Sequence, residues 1–186
     1  IGGTSGIGKA VADALSTRPG TVVVASRSTG LDVSDDDAVA AYFDNQGPVD
    51  HVVFTAGSFA PGGAVAELTI SDAKQAFDVK FWGSIATAKA TAKYIKPGGT
   101  ITLTSGFLAR RTVPGTYVKT AMNAAIEATT KILAKELAPI RVNVVSPGLT
   151  DTDAYAGMDQ SARATMLERA SASLPAGIVG SAGDLA

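Results

Sequence analysis

Cysteine is absent from this sequence, and histidine occurs once, at His51. The first absence removes disulfides, thiolate zinc sites, iron–sulfur clusters and thiol nucleophiles. The second means that a Ser-His-Asp triad would have to use His51, and that no multi-histidine metal site can be built. Charge is sparse too. Asp, Glu, Lys and Arg make up 18% of residues, and 16 basic against 17 acidic side chains leave a net charge of −1. Without a basic excess there is no electrostatic footprint for nucleic acid or an anionic membrane. No apolar run approaches the roughly 20 residues of a membrane span. These absences lead us to expect a soluble, cytoplasmic protein.

What is present suits one packed domain covering residues 1–186. Hydrophobic residues make up 46%, enough for a core, and 20 glycines favour close backbone packing. Short apolar runs, Thr21–Ser26, His51–Ala56, Thr100–Thr104 and Ile140–Val145, are β-branched and bounded by Gly or Pro, as buried strands are. Helical spacing fills the intervals. Gly6–Arg18 puts Ile7, Val11, Ala14 and Leu15 on one face. Asp35–Asn45 follows Ser34 as N-cap, and its run of aspartates suits the positive end of a helix rather than a metal site. Ser71–Ile95 and Tyr117–Leu137 read as long helices. Strands alternating with helices predict βαβ units, and so an α/β fold: a doubly wound parallel sheet of Rossmann type with helices on both faces. His51 opens a strand at the far edge from any ligand and is read as structural.

The most informative local pattern is Gly2-Gly3-Thr4-Ser5-Gly6-Ile7-Gly8 followed by a helix. Glycines allow a tight turn and let a pyrophosphate approach backbone N–H groups, while the helix N-terminus favours the negative charge. Dinucleotide binding is the expected use.

From this loop onward the chain resembles the short-chain dehydrogenase/reductase family, over essentially its whole length. The family's TGxxxGxG loop is matched by Ile1–Gly8. Asp32-Val33 resembles its adenine-contacting pair, and Phe54-Thr55-Ala56-Gly57 stands where its NNAG motif does, with only the Ala-Gly half kept. Asn143–Gly148 followed by Leu149 and Thr152 resembles its PG-x-x-x-T segment, whose threonine meets the nicotinamide carboxamide. The resemblance implies a further strand before Ile1 and a last helix and strand after Ala186, so the sequence is read as cut short at both ends. It also implies a cofactor site made of Gly2, Thr4, Ser5, Gly6, Ile7, Asp32, Val33, Thr55, Ala56, Gly57, Pro147, Gly148, Leu149 and Thr152.

The choice of nicotinamide cofactor rests on Ser26-Arg27-Ser28, at the end of a predicted strand. An acidic residue there would hold the ribose hydroxyls of NAD and repel a 2′-phosphate. A guanidinium flanked by two hydroxyls does the opposite. NADP(H) is expected, with NAD(H) the second choice.

The catalytic groups depart from the family. Its chemistry uses a tyrosine as proton donor, a lysine four residues on, a serine that polarises the carbonyl, and an asparagine that holds a relay water. Ser105 fits the serine. Counting back from Leu133-Ala134-Lys135-Glu136-Leu137, which resembles the family's LAxEL helix end, puts Lys119 in the tyrosine slot and Asn123 in the lysine slot. Lys80 stands in the asparagine slot. Tyr117 lies two residues before its slot, turned by about 200° on a helix; it reaches inward only if the helix begins after it. The other candidates are Lys80 and Lys119. Two ammoniums converging on Ser105 would depress each other's pKa and let one serve as proton donor.

Arg110-Arg111, in the loop between Ser105 and Tyr117, is either a solvated pair or a recruiter of anionic substrates. Loops Ser58–Leu68 and Leu149–Leu174 are expected to face a small-molecule substrate of unreadable identity. Gly83, Ala86, Ala90, Ala124, Ala125 and Ala128 give two long helices small faces, through which the family forms homodimers and homotetramers. The expected activity is hydride transfer between NADP(H) and a carbonyl or alcohol at an atypical site. An NADP(H)-binding sensor or scaffold, and a redox-neutral enzyme on the same fold, are the alternatives.

Overall fold

The structure is a computed structural model and describes residues 1–57 and 59–186. Three parallel strands form the sheet, β1 (Val49–Phe54), β2 (Ile95–Thr104) and β3 (Arg141–Val145), in the order β1-β2-β3. Helix α1 (Gly6–Ser16) follows the glycine loop and α2 (Asp36–Gln46) precedes β1. The crossover from β1 to β2 carries α3 (Ile70–Phe77), a π turn (Asp78–Trp82) and α4 (Gly83–Thr91), and that from β2 to β3 carries α5 (Tyr117–Glu136). Parallel neighbours need such crossovers, because a hairpin cannot return the chain in the same direction.

Packing follows the sequence periods. Val52 and Phe54 of β1, and Ile101 and Leu103 of β2, are buried at alternate positions. Helix α5 buries Val118, Met122, Ile126 and Thr130, one residue per turn along a single face. Helix α2 buries Val39 and Phe43 one turn apart. Its cap is Asp35, whose Oδ1 accepts from the Ala38 N–H at 2.9 Å, and not Ser34, which donates to Asp32 instead. On the sheet, His51 stands opposite Thr100 and its Nδ1 lies 2.9 Å from the Thr100 Oγ1.

Two expectations are corrected. Thr21–Ser26 forms no strand and joins no strand ladder among the described residues. It meets the sheet through Gly2, whose N–H donates to Ala25 O at 2.6 Å, while Ile1 bonds on its other side to Val53 and Thr55 of the β1 edge. Single bonds of this kind do not make a ladder. The helix expected over Ser71–Ile95 runs without a gap from Ile70 through the π turn but stops at Thr91, and Ile95 already belongs to β2.

The small helix faces also divide. Gly83 is buried against Val33, and Ala86 and Ala90 pack on the core. Ala124 and Ala128 of α5 stay exposed. Beyond β3, a short parallel pair, β4 (Thr150–Asp151) and β5 (Gly180–Ser181), flanks α6 (Gln160–Ser173). Among the described residues, no helix is long and apolar enough to cross a membrane.

Candidate active site

The parallel strands end on one edge, so the segments after them converge there: Thr55–Gly57 after β1, Ser105 after β2 and Ser146–Leu149 after β3. In an open parallel sheet this edge is where ligands bind. The glycine loop faces it. Gly2 and Gly6 hold positive φ angles of 82° and 51°, which a side chain would strain. A Cβ on Gly8 would overlap the Gly2 carbonyl and the Thr55 hydroxyl, so only glycine lets α1 start this close to the loop. The first turn of α1 leaves its N–H groups without an intrahelical acceptor. One of them, on Gly6, donates to the Asp153 carboxylate at 3.4 Å, as a helix end that favours anions should. Thr152 lies against Gly6.

The remaining cofactor candidates are spread around this cradle. Thr4 and Ser5 are exposed on the loop, and Ile7 is half-buried. Arg27 opens a short helical turn, exposed, with no ion-pair partner among the described residues. The Ser26 and Ser28 hydroxyls lie 2.8 Å apart beside it. Asp32 accepts from the Ser34 hydroxyl and N–H, which lower its pKa together with the nearby Arg27 charge. Val33 is buried. Pro147 is buried as well, and its carbonyl accepts from the Phe107 N–H at 2.8 Å, which ties the Gly148–Leu149 turn to the segment after β2. A glycine cradle, a helix N-terminus and a free guanidinium flanked by hydroxyls fit a dinucleotide with an added phosphate.

Lys80 is the centre of the polar cluster. The π turn within the α3–α4 helical segment carries it, buried. Such turns often mark functional positions. Its residue is 8% exposed, and its ammonium donates to Ser105 O at 2.9 Å and Asn123 Oδ1 at 2.8 Å. Gly57 closes one side, since a Cβ there would stand 2.5 Å from the Lys80 Cβ. Both acceptors are neutral, so burial pushes the Lys80 pKa down to about 8, and the Lys119 charge adds to the shift. Lys119 sits one helical turn before Asn123 on α5, on the same face.

Two expected catalytic placements change. Ser105 brings its carbonyl to Lys80, but its hydroxyl points elsewhere: it donates to Glu127 Oε1 at 3.0 Å, with Val145 O at 3.4 Å as second acceptor. Successive residues of an extended chain face opposite ways. The residue that faces Asn123 is therefore Gly106, where a Cβ would lie 2.7 Å from Asn123 Nδ2, and it has no hydroxyl to offer. Tyr117 begins α5 rather than preceding it, so the condition for reaching inward is not met. It is exposed and forms no hydrogen bond with Lys80, Ser105 or Asn123. Arg110 is engaged with Glu127, and the Arg111 guanidinium lies over the Phe107 ring at 4.6 Å, so neither stands free as a simple anion recruiter. Ser58, which opens one of the expected substrate loops, lies outside the described residues.

Glu127 was missed from sequence. It lies one turn after Asn123, and that spacing was the available signal. Its carboxylate accepts from Ser105 and Ser146 and pairs with Arg110 at 3.0 Å, joining α5 to the ends of β2 and β3. Burial raises its pKa, but the Ser146 and Ser105 hydroxyls and the Arg110 guanidinium outweigh that and hold it below the ordinary value. A lowered carboxylate pKa stabilises the fold at neutral pH, and that contribution is lost as pH falls through the folded-state value. Glu127→Ala is expected to cost about 2–3 kcal/mol, since two hydroxyls and a guanidinium lose their charged acceptor. An unchanged Tm at pH 7 would contradict this. Arg163, which holds Asp151 Oδ1 at 2.6 Å and Thr152 O at 3.2 Å, gave no sequence signal.

Residues 26–186 match the family model described as enoyl-(acyl carrier protein) reductase. The short-chain dehydrogenase/reductase ucsE of Acremonium sp. is 32% identical over 83% of this chain and 72% of its own length. The chain belongs to the short-chain dehydrogenase/reductase family. Among solved structures it is similar to a small-chain dehydrogenase in complex with NADPH, 56% identical, with a TM-score of 0.97 over 99% of this chain and 84% of the other. A short-chain dehydrogenase from Burkholderia cenocepacia J2315 in complex with NADP is 28% identical, with a TM-score of 0.81 over 99% and 84%. In this short-chain dehydrogenase/reductase Lys80 and Asn123 bond to each other near the carboxyl edge of the sheet, and Tyr117 bonds to neither.

Proposed function

We propose that this short-chain dehydrogenase/reductase is an NADP(H)-dependent oxidoreductase of residues 1–186 that interconverts a carbonyl and an alcohol, with Lys80 in place of a tyrosine. The observation that carries the reading is the Lys80 ammonium, buried at the carboxyl edge of the sheet and held by Ser105 O and Asn123 Oδ1 beside the glycine cradle. The NADPH-bound neighbour at 56% identity supports the cofactor. When bound, NADP(H) supplies or accepts the hydride.

The residues of the chain divide the remaining work. The glycine loop and first turn of α1 hold the pyrophosphate, with Arg27, Ser26 and Ser28 on the 2′-phosphate. Asn123 both fixes the Lys80 ammonium and offers its amide to ribose hydroxyls. Lys80 holds the proton that a carbonyl oxygen needs as it becomes an alcohol. A value of about 8 leaves it mostly protonated at neutral pH yet able to release the proton. The exposed Ala124 and Ala128, with the exposed Ile132, make α5 the homo-oligomer face. Sedimentation showing a monomer at working concentration would remove that assignment.

The test is a fluorescence titration of the full-length protein with NADPH and NADH, followed by nicotinamide absorbance as carbonyl compounds are added. Tight NADPH binding with oxidation supports the reading. Binding without oxidation across a broad panel favours a non-catalytic NADP(H)-binding protein or a redox-neutral reaction. No binding removes the cofactor assignment.

A further inference from the structure

The cluster around Lys80 has a charge imbalance. An ammonium has three donors, and among the described residues two are used, both on neutral oxygens. Among the described residues neither Lys80 nor Lys119 has a carboxylate partner. The nearby acid, Glu127, is already taken by Arg110, Ser105 and Ser146. The other charged groups on the elements packed against the π turn do not compensate. Asp72 and Lys74 of α3, Lys89 of α4, and Lys131, Lys135 and Glu136 at the far end of α5 are exposed, as is Asp78 on the turn itself. Thr55–Gly57 and Ser105–Gly106 contribute no ionisable side chain. A buried cation without a counter-ion is costly, and it persists where a ligand supplies the missing charge.

We propose that Lys80 and Lys119 together take up an anionic group of the substrate, so that the protein acts on an oxo acid, a small carbonyl compound carrying a carboxylate. This rests on the reading of the site as a carbonyl-reducing one and names its substrate class. Lys119 supplies the countercharge, and Lys80 keeps its proton for the carbonyl oxygen. The anion also holds Lys80 protonated, so binding at pH near the Lys80 value draws in a proton.

Calorimetry tests this without turnover. The full-length protein is titrated with oxamate and with its uncharged counterpart oxamide, with and without NADPH, in two buffers of different ionisation enthalpy. Oxamate is expected to bind at least about tenfold tighter than oxamide, the effect of one partly screened charge pair. At pH 8 it should take up as much as about half a proton, and at pH 6 almost none. Lys119→Gln should remove most of the preference and leave oxamide binding alone. NADPH binding with equal affinity for oxamate and oxamide overturns the proposal while the cofactor reading stands. Preference for oxamate without proton uptake at pH 8 places the anion away from Lys80 and overturns it too. An intact, Lys119-dependent preference in a protein that does not bind NADPH supports the anion site and removes the cofactor reading.

Discussion

Lys80→Met is expected to lower carbonyl turnover by about 10²–10⁴-fold, the usual contribution of a positioned proton donor, while NADPH affinity stays close to that of the wild type. The split follows from geometry. Lys80 bonds to Ser105 O and Asn123 Oδ1, not to the glycine cradle or Arg27. A second readout separates a proton-holding role from simple packing. The folded-state value of Lys80 is depressed, from 10.5 to about 8. Between those values the unfolded chain binds the proton and the folded chain does not, so stability rises with pH across that window. Below about pH 8 the penalty of the buried charge is fully present. The rise is on the order of 3 kcal/mol; it should be lost in Lys80→Met and so appear in full as the difference between the two curves. Net stability at pH 7 changes less, because the variant also leaves two oxygens without a donor. Parallel stability–pH curves for the two proteins would contradict the buried ammonium, and unchanged turnover would contradict its role.

Arg27→Ala is expected to weaken NADPH binding by about 10–100-fold, the equivalent of a charged hydrogen-bonded contact worth about 1.5–3 kcal/mol. NADH binding should be little changed, because the residue is assigned only to the 2′-phosphate. The NADPH effect should shrink as salt rises, since Arg27 is exposed and its field is screened. Fluorescence titrations with both nucleotides at two ionic strengths decide it. Equal losses for NADPH and NADH would mean that Arg27 shapes the turn rather than reading the phosphate.

The parts of this molecule legible in sequence were those set by short-range chemistry. The glycine loop and α1 follow from backbone sterics, and β1, β2, β3 and α5 from hydrophobic period. Lys80 and Asn123 were each legible as site candidates, Asn123 because the Leu133–Leu137 helix end fixes the register of α5, but their bond to each other was not foreseen. Ser105 shows the limit. Sequence located it at a strand end, but a strand places neighbouring residues on opposite sides, so the position alone could not say whether the hydroxyl or the carbonyl faces Lys80. Tertiary partners decided it, through Glu127. The π turn was hidden for a related reason: Ser71–Ile95 keeps helical spacing throughout, and one extra residue per turn leaves no mark in that pattern. Thr21–Ser26 has strand composition, but a strand assignment depends on ladder bonds to a neighbour, which composition does not report.

The central claim is that a lysine replaces the tyrosine in a working reductase. The most direct measurement is single-turnover oxidation of bound NADPH by a panel of carbonyl compounds that includes oxo acids, run side by side on the wild type and Lys80→Met. The account predicts oxidation by the wild type, fastest with an oxo acid, and bound but unoxidised NADPH in the variant. Equal rates in both proteins, or tightly bound NADPH that no carbonyl compound oxidises in the wild type, would contradict it.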